Sequence, residues 1–328
     1  MRKVLTVSIA SYNTEAYLEE TVQSLIVNDG AFRKMEIIIV NDGSGDQTSN
    51  IAHRLEAQYP ETIRVIDKEN GGYGSTVNTA LVAAEGTYFK LLDGDDWYRT
   101  ENVALFIDYL EKADVDLVIS PYLEVRGEKE ILVDNHRDIP AESRPIPTSR
   151  IADPSFMMHE MAVRTECLRK TGKKLAEHCF YTDSEFVFYA ICGAESISRF
   201  DRPVYRYRLG VEGQSVSLEG LRKHYRDLPV VAERMMAVYE EVSPRETGEK
   251  KELLSRCIQN ISFQTDRGAL LLEDRKGSKK ELIRFDRKIR EEYPKAYEAG
   301  NNGRLVRTLR LLRFCGFSTL SKMEMKAY

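Results

Sequence analysis

Short apolar runs alternate with amphipathic stretches over the first hundred residues, and this alternation is the main structural signal in the chain. Four runs rich in β-branched and apolar residues have the length of buried strands: 4–10, 35–40, 62–66 and 88–92. Between them apolar residues recur at helical spacing in three stretches: 17–26, 51–59 and 77–84. Strands that alternate with helices in this way predict an α/β fold with a doubly wound, mostly parallel sheet and helices on both faces.

The second half of the chain changes character near residue 221. Apolar runs at 117–120, 156–163 and 203–208 predict further strands, whereas 228–242 and 253–272 carry apolar residues at helical spacing. The pattern therefore predicts a sheet domain over residues 1–220 and a helical C-terminal extension over residues 221–328.

Charge and cysteine content narrow the class of protein. The net charge of −4 over 328 residues divides into −12 before Leu221 and +8 from there on, so a nucleic-acid partner at the acidic first part is not expected. The five scattered cysteines show no metal-ligand spacing and predict reduced thiols. The first apolar run is shorter than the core of a signal peptide, and we expect a cytoplasmic protein.

A basic stripe near the end of the chain adds one partner hypothesis. Arginine recurs at every third position, at 304, 307, 310 and 313, among leucines and Phe314. A basic amphipathic helix of this kind can lie on anionic lipid at the inner face of the plasma membrane. It can equally pack on a partner protein or on the acidic domain.

The fourth predicted strand runs directly into three carboxylates, Asp93, Asp95 and Asp96, around Gly94. The carboxyl ends of parallel strands face ligands, and crowded carboxylates repel one another unless a cation lies between them. Mg²⁺ or Mn²⁺ is the natural candidate because both prefer oxygen ligands. The alternative is an acidic turn that caps the next helix at Thr100 and Glu101.

Two other strand ends carry candidate ligand-binding residues. Asp42 follows the second strand, where it can accept hydrogen bonds from a base or a ribose, or instead form an Asx-turn ahead of Ser44. Gly72 belongs to a glycine-rich segment at a helix start, which can admit a phosphate or simply form a turn.

Several motifs in the first hundred residues together resemble the family 2 glycosyltransferases of the GT-A fold. The motifs are Ser11-Tyr12-Asn13, Val40-Asn41-Asp42-Gly43-Ser44, Asn70-Gly71-Gly72 with Asn78, Gly86-Thr87-Tyr88 and Leu92-Asp93-Gly94-Asp95-Asp96. The resemblance implies that Tyr12 and Asp42 contact the nucleotide base of a sugar donor, that Asp93 faces the ribose, and that Asp95 coordinates the metal, aided by Asp93 or Asp96. Val77 stands where many members carry arginine, which leaves the diphosphate more dependent on the metal or on a later arginine.

The resemblance extends to two later segments. The family usually has Glu-Asp at the start of a helix near this point, and Thr182-Asp183 keeps the aspartate that serves there as general base. Asp183 can alternatively cap that helix, and Glu185 is the alternate base. The strand that ends at Arg208 and the segment with Gln214 and Ser215 resemble the family's closing segment, which implies contacts with the donor. A solvated sheet edge is the competing interpretation.

The resemblance implies inverting, metal-dependent transfer of a sugar from a nucleotide-diphosphate donor, expected to be a UDP-sugar. The acceptor is expected to be a saccharide or a lipid-linked molecule of surface polysaccharide or glycolipid synthesis. The rival hypotheses are a non-catalytic sugar-nucleotide binder and a metal-dependent nucleotidyltransferase. A nucleotidyltransferase is expected to have a basic phosphate-binding loop near the first strand, and Ser11-Tyr12-Asn13 does not provide one.

Overall fold

The computed structural model describes residues 2–137, 139, 146–147, 156–210 and 217–327. These residues form two compact units, one that extends to residue 210 and one that begins at residue 217. The strands are, in chain order, β1 (Leu5–Ser11), β2 (Met35–Asn41), β3 (Ile63–Asp67), β4 (Tyr88–Asp93), β5 (Trp97–Tyr98), β6 (Leu117–Ile119), β7 (Tyr122–Arg126), β8 (Lys129–Val133), β9 (Ile146–Pro147), β10 (Met161–Arg164), β11 (Ser196–Arg199) and β12 (Tyr205–Arg208).

The helices of the first unit precede or separate these strands. They are α1 (Leu18–Gln23), α2 (Asp29–Phe32), α3 (Thr48–Gln58), α4 (Tyr73–Ala83), α5 (Thr100–Lys112), α6 (Thr165–Thr171) and α7 (Thr182–Gly193). The second unit contains α8 (Leu218–His224), α9 (Asp227–Val242), α10 (Gly248–Leu271), α11 (Arg275–Glu292), α12 (Pro294–Gly300), α13 (Arg304–Leu311) and α14 (Phe317–Ala327).

The main sheet of the first unit has the strand order β3-β2-β1-β4-β10-β6-β11-β9. The strands β1 to β4 are parallel to their neighbours among themselves, whereas β10 runs antiparallel to β4 and β6. Every residue of β2 is buried, as expected for a central strand with both faces covered. The predicted α/β architecture with a mostly parallel sheet is confirmed.

A second, smaller sheet has the order β5-β12-β7-β8. Its strand β5 follows the acidic turn directly, and Trp97 in β5 pairs with Arg206 in β12. This pairing brings β12 and its tyrosines and arginine next to the carboxylates at the end of β4. The strand predicted over 203–208 therefore forms, in shorter form, in a different sheet from β4.

The prediction of a strand over 156–163 is wrong for the first half of that range. A 3₁₀ turn occupies Met158–Glu160, and β10 begins only at Met161. The turn closes because the backbone N–H of Met157 donates to the carboxylate of Glu160 at 2.9 Å. The consequence is that His159 lies on a turn beside β4 instead of on a strand.

The second unit is helical, which confirms the predicted helical C-terminal region. The long helix α10 packs against α9, α12 and α14, and its residues Leu254, Ile258 and Ile261 are buried. No helix in the described part of the chain is both long and apolar enough to cross a bilayer.

The arginine stripe is not uniform in the structure. Arg310 points inward, where its Nε donates to Asp286 at 2.7 Å and its guanidinium lies 3.7 Å from the ring centroid of Tyr297. Arg304, Arg307 and Arg313 are exposed. A surface that attracts anionic lipid would therefore have to use these three arginines without Arg310.

Gly86, in the turn before β4, allows a close approach to β1. Its N–H donates to Thr6 Oγ1 at 2.9 Å, and its carbonyl accepts from Thr165 Oγ1 at 2.6 Å. A Cβ at position 86 would clash with the backbone nitrogen of Thr6, and this nitrogen cannot shift because it belongs to the sheet. The strand that carries the acidic cluster thus depends on a glycine at its start.

We expect Gly86→Ala to destabilise the protein by about 1–3 kcal/mol, the usual cost of overpacking. The measurement is the midpoint of thermal denaturation. Gly45→Ala is the matched control, because a Cβ there has no atom within 4 Å. An equal midpoint for both variants would show that the approach of Gly86 to Thr6 is unimportant.

Candidate functional site

The candidate site lies where β1, β2 and β4 end together. Parallel pairing sets Ser11 opposite Asn41 and Ala10 opposite Asp93, so the three strands reach the same edge of the sheet. The loops that follow β1 and β2 are joined, because Asn13 N donates to Ser44 Oγ at 3.0 Å and Gly45 N donates to Asn13 Oδ1 at 2.9 Å. Beside them Tyr12 is 55% exposed and free to meet a ligand.

Asp42 is at this edge, but its carboxylate is already engaged with the protein. It is only 2% exposed and accepts hydrogen bonds from the N–H groups of Gly71 and Gly72 at 2.9 and 2.8 Å. Lys68 Nζ and Ser75 Oγ bind it at 2.8 and 3.3 Å. Asp42 therefore holds the loop between β3 and α4 in place.

Gly72 performs its role through backbone conformation. Its φ of 79° lies in the left-handed region, and it directly precedes α4. Its N–H points at Asp42, so this hydrogen-bond donor is used within the protein. The glycine-rich segment thus forms a turn bound to a carboxylate in the structure.

The carboxylates at the end of β4 are crowded, and Asp96 is buried while Asp93 and Asp95 are half-buried. Burial first, and then the charge of Asp95, raise the pKa of Asp93 to about 7. Burial and the charge of Asp93 raise the pKa of Asp96 to about 9. Burial also raises the pKa of Asp95, against the opposing effect of Arg208. Such shifts mean that the ionised cluster is unfavourable unless a cation compensates for it.

Two features of this cluster fit a divalent metal ion. One potential ligand atom from each of Asp93, Asp96 and His159 lies within 4.8 Å of the other two. Asp93 Oδ1 is buried and has no hydrogen-bond partner among the described residues. Carboxylate oxygens are the ligands that Mg²⁺ and Mn²⁺ prefer, so the residues present suit such an ion.

The strand β12 supports the cluster. The hydroxyl of Tyr205 donates to Asp96 at 2.6 Å and accepts from the N–H of Asp93 at 3.2 Å. The N–H of Arg208 donates to the other oxygen of Asp96 at 2.7 Å. Asp96 is therefore the most firmly held carboxylate of the three, and it does not cap the helix that follows.

Arg208 lies at the border of the cluster. Its Nε donates to the carbonyl of Asp95 at 2.7 Å, and its Nη2 donates to Glu20 at 2.7 Å. Its guanidinium lies 4.9 Å from the ring centroid of Tyr17 and 4.3 Å from that of Trp97. These contacts hold a positive charge beside Asp95. Arg208 is therefore a candidate for the later arginine that is expected because Val77 replaces the arginine of many family members.

Asp183 faces the same cluster from α7. Its negative charge helps to raise the pKa of Asp93 and that of the buried Tyr73, and burial raises the pKa of Asp183 itself. The helix is preceded by Tyr181 at φ 64°, so Asp183 stands in the first turn and is not the N-cap.

Glu185 has a different environment from Asp183. It is fully buried, and its two oxygens accept from the N–H of Ala176 at 2.7 Å and the hydroxyl of Tyr189 at 3.0 Å. Both oxygens are thus committed to protein groups. The geometry favours Asp183 over Glu185 as the carboxylate available for chemistry.

Tyr73, Tyr205, Tyr207 and His159 surround the carboxylates. The sequence placed His159 near the site but favoured a packed or solvent-facing histidine over a ligand, and it did not select the tyrosines as site residues. Burial and then the charges of Asp93, Asp96, Asp183 and Asp95 raise the pKa of Tyr207. The alternation over 203–208 places Tyr205 and Tyr207 on the same face of the predicted strand, so the sequence does indicate that these two side chains lie together. Nothing in the sequence indicates that this face meets β4. The predicted contacts Gln214 and Ser215 lie outside the described residues.

The raised pKa of Asp93 predicts a stability change with pH in metal-free protein. An unfolded aspartate has its ordinary pKa of 3.8, whereas the pKa of folded Asp93 is about 7. Between these values the folded state binds the extra proton, so its stability falls as the pH rises. Asp93→Asn removes this penalty, and we expect the variant to gain several degrees in melting temperature relative to wild type at about pH 8 but little at about pH 4.

The comparison is made in chelator by thermal denaturation at both pH values. Asp201→Asn, at an exposed position, controls for the loss of one negative charge. If Asp93→Asn raised the melting temperature equally at both pH values, the effect would not come from ionisation of Asp93 in the folded state.

Comparisons with known proteins show the family and the fold of the chain. The model of the family described as "Glycosyl transferase family 2" matches residues 6–171, just over half of the chain. The minor teichoic acid biosynthesis protein GgaB of Bacillus subtilis is 37% identical over 119 residues, which are 35% of this chain and 13% of GgaB. The uncharacterized glycosyltransferase EpsJ of the same organism is 27% identical over 218 residues, 63% of this chain and 62% of EpsJ. The chain thus spans less than two thirds of either relative.

Solved structures with a similar fold include two complexes with nucleotide sugars. S. aureus TarS 1–349 in complex with UDP-GlcNAc has a TM-score of 0.60 and 19% identity, with coverage of 95% of this chain and 92% of TarS 1–349. The mannosyltransferase PcManGT from Pyrobaculum calidifontis, in complex with GDP-Man and Mn²⁺, has a TM-score of 0.57 and 16% identity, with coverage of 99% and 85%. The family match and the shared architecture lead to one conclusion: the chain belongs to glycosyl transferase family 2 and has the GT-A fold.

Proposed function

We propose that this protein is an inverting glycosyltransferase that moves a sugar from a nucleotide-diphosphate donor, a UDP-sugar, to a saccharide or lipid-linked acceptor. The observation that carries the proposal is the acidic cluster at the end of β4, where ligand atoms of Asp93, Asp96 and His159 lie within 4.8 Å of one another and Asp93 Oδ1 has no hydrogen-bond partner among the described residues. Transfer from a diphosphate requires a metal-binding carboxylate and a base near one point, and Asp183 in the first turn of α7 is the base that we propose. Complexes of fold neighbours with UDP-GlcNAc and with GDP-Man and Mn²⁺ support a nucleotide-sugar donor.

The carboxylates after β4 would hold Mg²⁺ or Mn²⁺. Asp93 and Asp95 offer the less engaged oxygens, because both oxygens of Asp96 already accept hydrogen bonds from Tyr205 and Arg208. When bound, the ion supplies Lewis-acid stabilisation for the departing nucleoside diphosphate. Asp96 then serves chiefly to hold the turn in position.

Asp183 performs the proton transfer in this proposal. The acceptor hydroxyl gives its proton to the Asp183 carboxylate while its oxygen bonds to the anomeric carbon of the donor. The bond from that carbon to the diphosphate oxygen breaks with its electron pair on the diphosphate, and the configuration inverts. Burial raises the pKa of Asp183, which makes it a stronger base than a solvated aspartate.

Residues around the carboxylates position the donor. Tyr12 is exposed at the end of β1, where it can stack on the base, and Asp42 with Gly72 shapes the loop beside it. Arg208 places a positive charge next to Asp95, where charge develops on the leaving diphosphate. Gln214 and Ser215 are proposed as further donor contacts.

The acceptor class is proposed from the relatives. GgaB carries the name of a teichoic acid biosynthesis protein, and a surface polymer or a lipid-linked precursor is a consistent acceptor for this chain. We propose that the protein works in the cytoplasm. Contact with the inner face of the membrane would rely on the exposed Arg304, Arg307 and Arg313.

Asp183→Asn should reduce sugar transfer by roughly 10²–10⁴-fold and leave donor binding unchanged, because only the proton acceptor is lost. Transfer is measured by release of the nucleoside diphosphate, and donor binding by calorimetry. Glu185→Gln is the control with conserved shape, and we expect it to keep most of the activity. Loss of activity in Glu185→Gln with full activity in Asp183→Asn would reverse the assignment. A wild-type protein that binds donor but transfers nothing to any saccharide or lipid-linked acceptor would support a binding protein.

A panel of nucleotide sugars with and without Mn²⁺ tests the donor and the metal together. We expect UDP-sugars to raise the melting temperature only with the metal, since ligand binding stabilises the folded state by about 2.7 kcal/mol at a hundredfold excess over Kd. GDP-sugars serve as the matched comparison. Stabilisation by GDP-mannose alone would overturn the UDP assignment, and stabilisation by UDP-sugars in chelator would overturn the metal requirement.

A further inference from the structure

His159 is a buried histidine whose hydrogen-bonding capacity is unused. It is 4% exposed, and neither ring nitrogen has a hydrogen-bond partner among the described residues. Its ring stacks on Tyr207 with centroids 4.3 Å apart and meets Tyr205 edge-on at 4.6 Å. Buried polar groups in native proteins normally have partners, so a ligand that completes this site is the simplest explanation.

The ring is oriented toward the carboxylates. A ring nitrogen of His159 and one oxygen each of Asp93 and Asp96 lie within 4.8 Å of one another. Asp93 Oδ1 is also buried without a partner in the described part of the chain. An imidazole and a carboxylate from separate segments, each with an atom that lacks a hydrogen-bond partner among the described residues, therefore lie close together, and a cation can bind both.

Lys90 fixes the backbone that carries this histidine. The Lys90 side chain is fully buried in β4, and its Nζ donates to the carbonyl of His159 at 2.6 Å and to that of Met161 at 3.2 Å. Because Lys90 and Asp93 are three residues apart on the same strand, one rigid element supports both the carboxylate and the turn that bears the imidazole. The ammonium group points at carbonyls and leaves the ring nitrogens free.

We propose that His159 is a nitrogen ligand of the metal ion bound at the end of β4, together with Asp93, and that Lys90 is the positioning residue that holds it there. This inference rests on the metal-dependent function proposed above and adds a ligand to the carboxylates. Mg²⁺ prefers an all-oxygen octahedral shell, whereas imidazole suits transition metals. The site therefore selects Mn²⁺ over Mg²⁺.

The direct test is pulsed electron paramagnetic resonance on the intact protein loaded with Mn²⁺ alone. We expect echo modulation from the ¹⁴N of a bound imidazole in wild type, and its loss in His159→Gln at saturating Mn²⁺. The glutamine offers an oxygen ligand instead of a nitrogen ligand. The ratio of the affinity for Mn²⁺ to that for Mg²⁺, measured by equilibrium titration, should therefore be smaller in His159→Gln than in wild type. His53→Gln, at an exposed histidine that binds Asp67 and Glu56, is the matched control and should behave as wild type.

The role of Lys90 is tested by Lys90→Met, which keeps the chain length and removes the ammonium. We expect Mn²⁺ affinity to fall by about 10–100-fold, the usual effect of losing a group that orients a metal ligand. Lys3→Met is the control, because Lys3 Nζ also donates to backbone carbonyls, those of Arg33, Met35 and Glu61, but at the opposite edge of the sheet. Lys3→Met should leave Mn²⁺ affinity unchanged, whatever its melting temperature.

The outcomes separate this inference from the proposed function. Wild-type protein that binds Mn²⁺ without ¹⁴N modulation would overturn the histidine ligand and leave the metal-dependent transferase intact. Unchanged Mn²⁺ affinity in Lys90→Met would overturn its positioning role. Absence of Mn²⁺ binding by wild type without a donor would overturn this inference, whereas the metal requirement for donor binding is decided by the nucleotide-sugar panel.

Discussion

Repulsion between buried carboxylates at the end of β4 is the constraint on which the rest of the site depends. Asp96 is buried, and Asp93 and Asp95 are half-buried beside it, so that burial and mutual repulsion raise the pKa of Asp93 to about 7 and that of Asp96 to about 9. The protein supplies only part of the compensation, through Arg208 and the hydroxyl of Tyr205. The remaining negative charge makes the cluster a site for an external cation.

The support for this cluster comes from elements that lie far apart in the chain. The strand β1 holds β4 in register, β5 pairs with β12, and α7 brings Asp183 to the same place. The two strand pairings use backbone groups, so the positions of the carboxylates after β4 follow from the packing of the sheets. A site built on such rigid elements keeps its geometry before a ligand arrives.

The environments of the aspartates differ, and their roles differ accordingly. Asp42 is saturated by the loop of Gly71 and Gly72 and acts on structure. Asp96 is held by two donors, whereas Asp93 keeps one oxygen without a partner in the described residues. Asp183 is half-buried in the first turn of a helix, and we propose it as the proton acceptor. Identical side chains thus divide into positioning, metal-binding and proton-accepting groups according to the hydrogen bonds around them.

The sequence alone determined the order of strands and helices in the first hundred residues, because period and β-branching are local properties. It also placed Tyr12, Asp42 and Asp93 at strand ends, since parallel strands share a carboxyl edge. Only the tertiary structure decided that 158–160 forms a 3₁₀ turn, because that turn depends on Glu160 and on Lys90 from another strand. It likewise decided that Glu185 is buried and that β12 joins the acidic turn. Pairing between distant segments has no local signature, and it is this pairing that assembles His159, Tyr205 and Arg208 around the carboxylates.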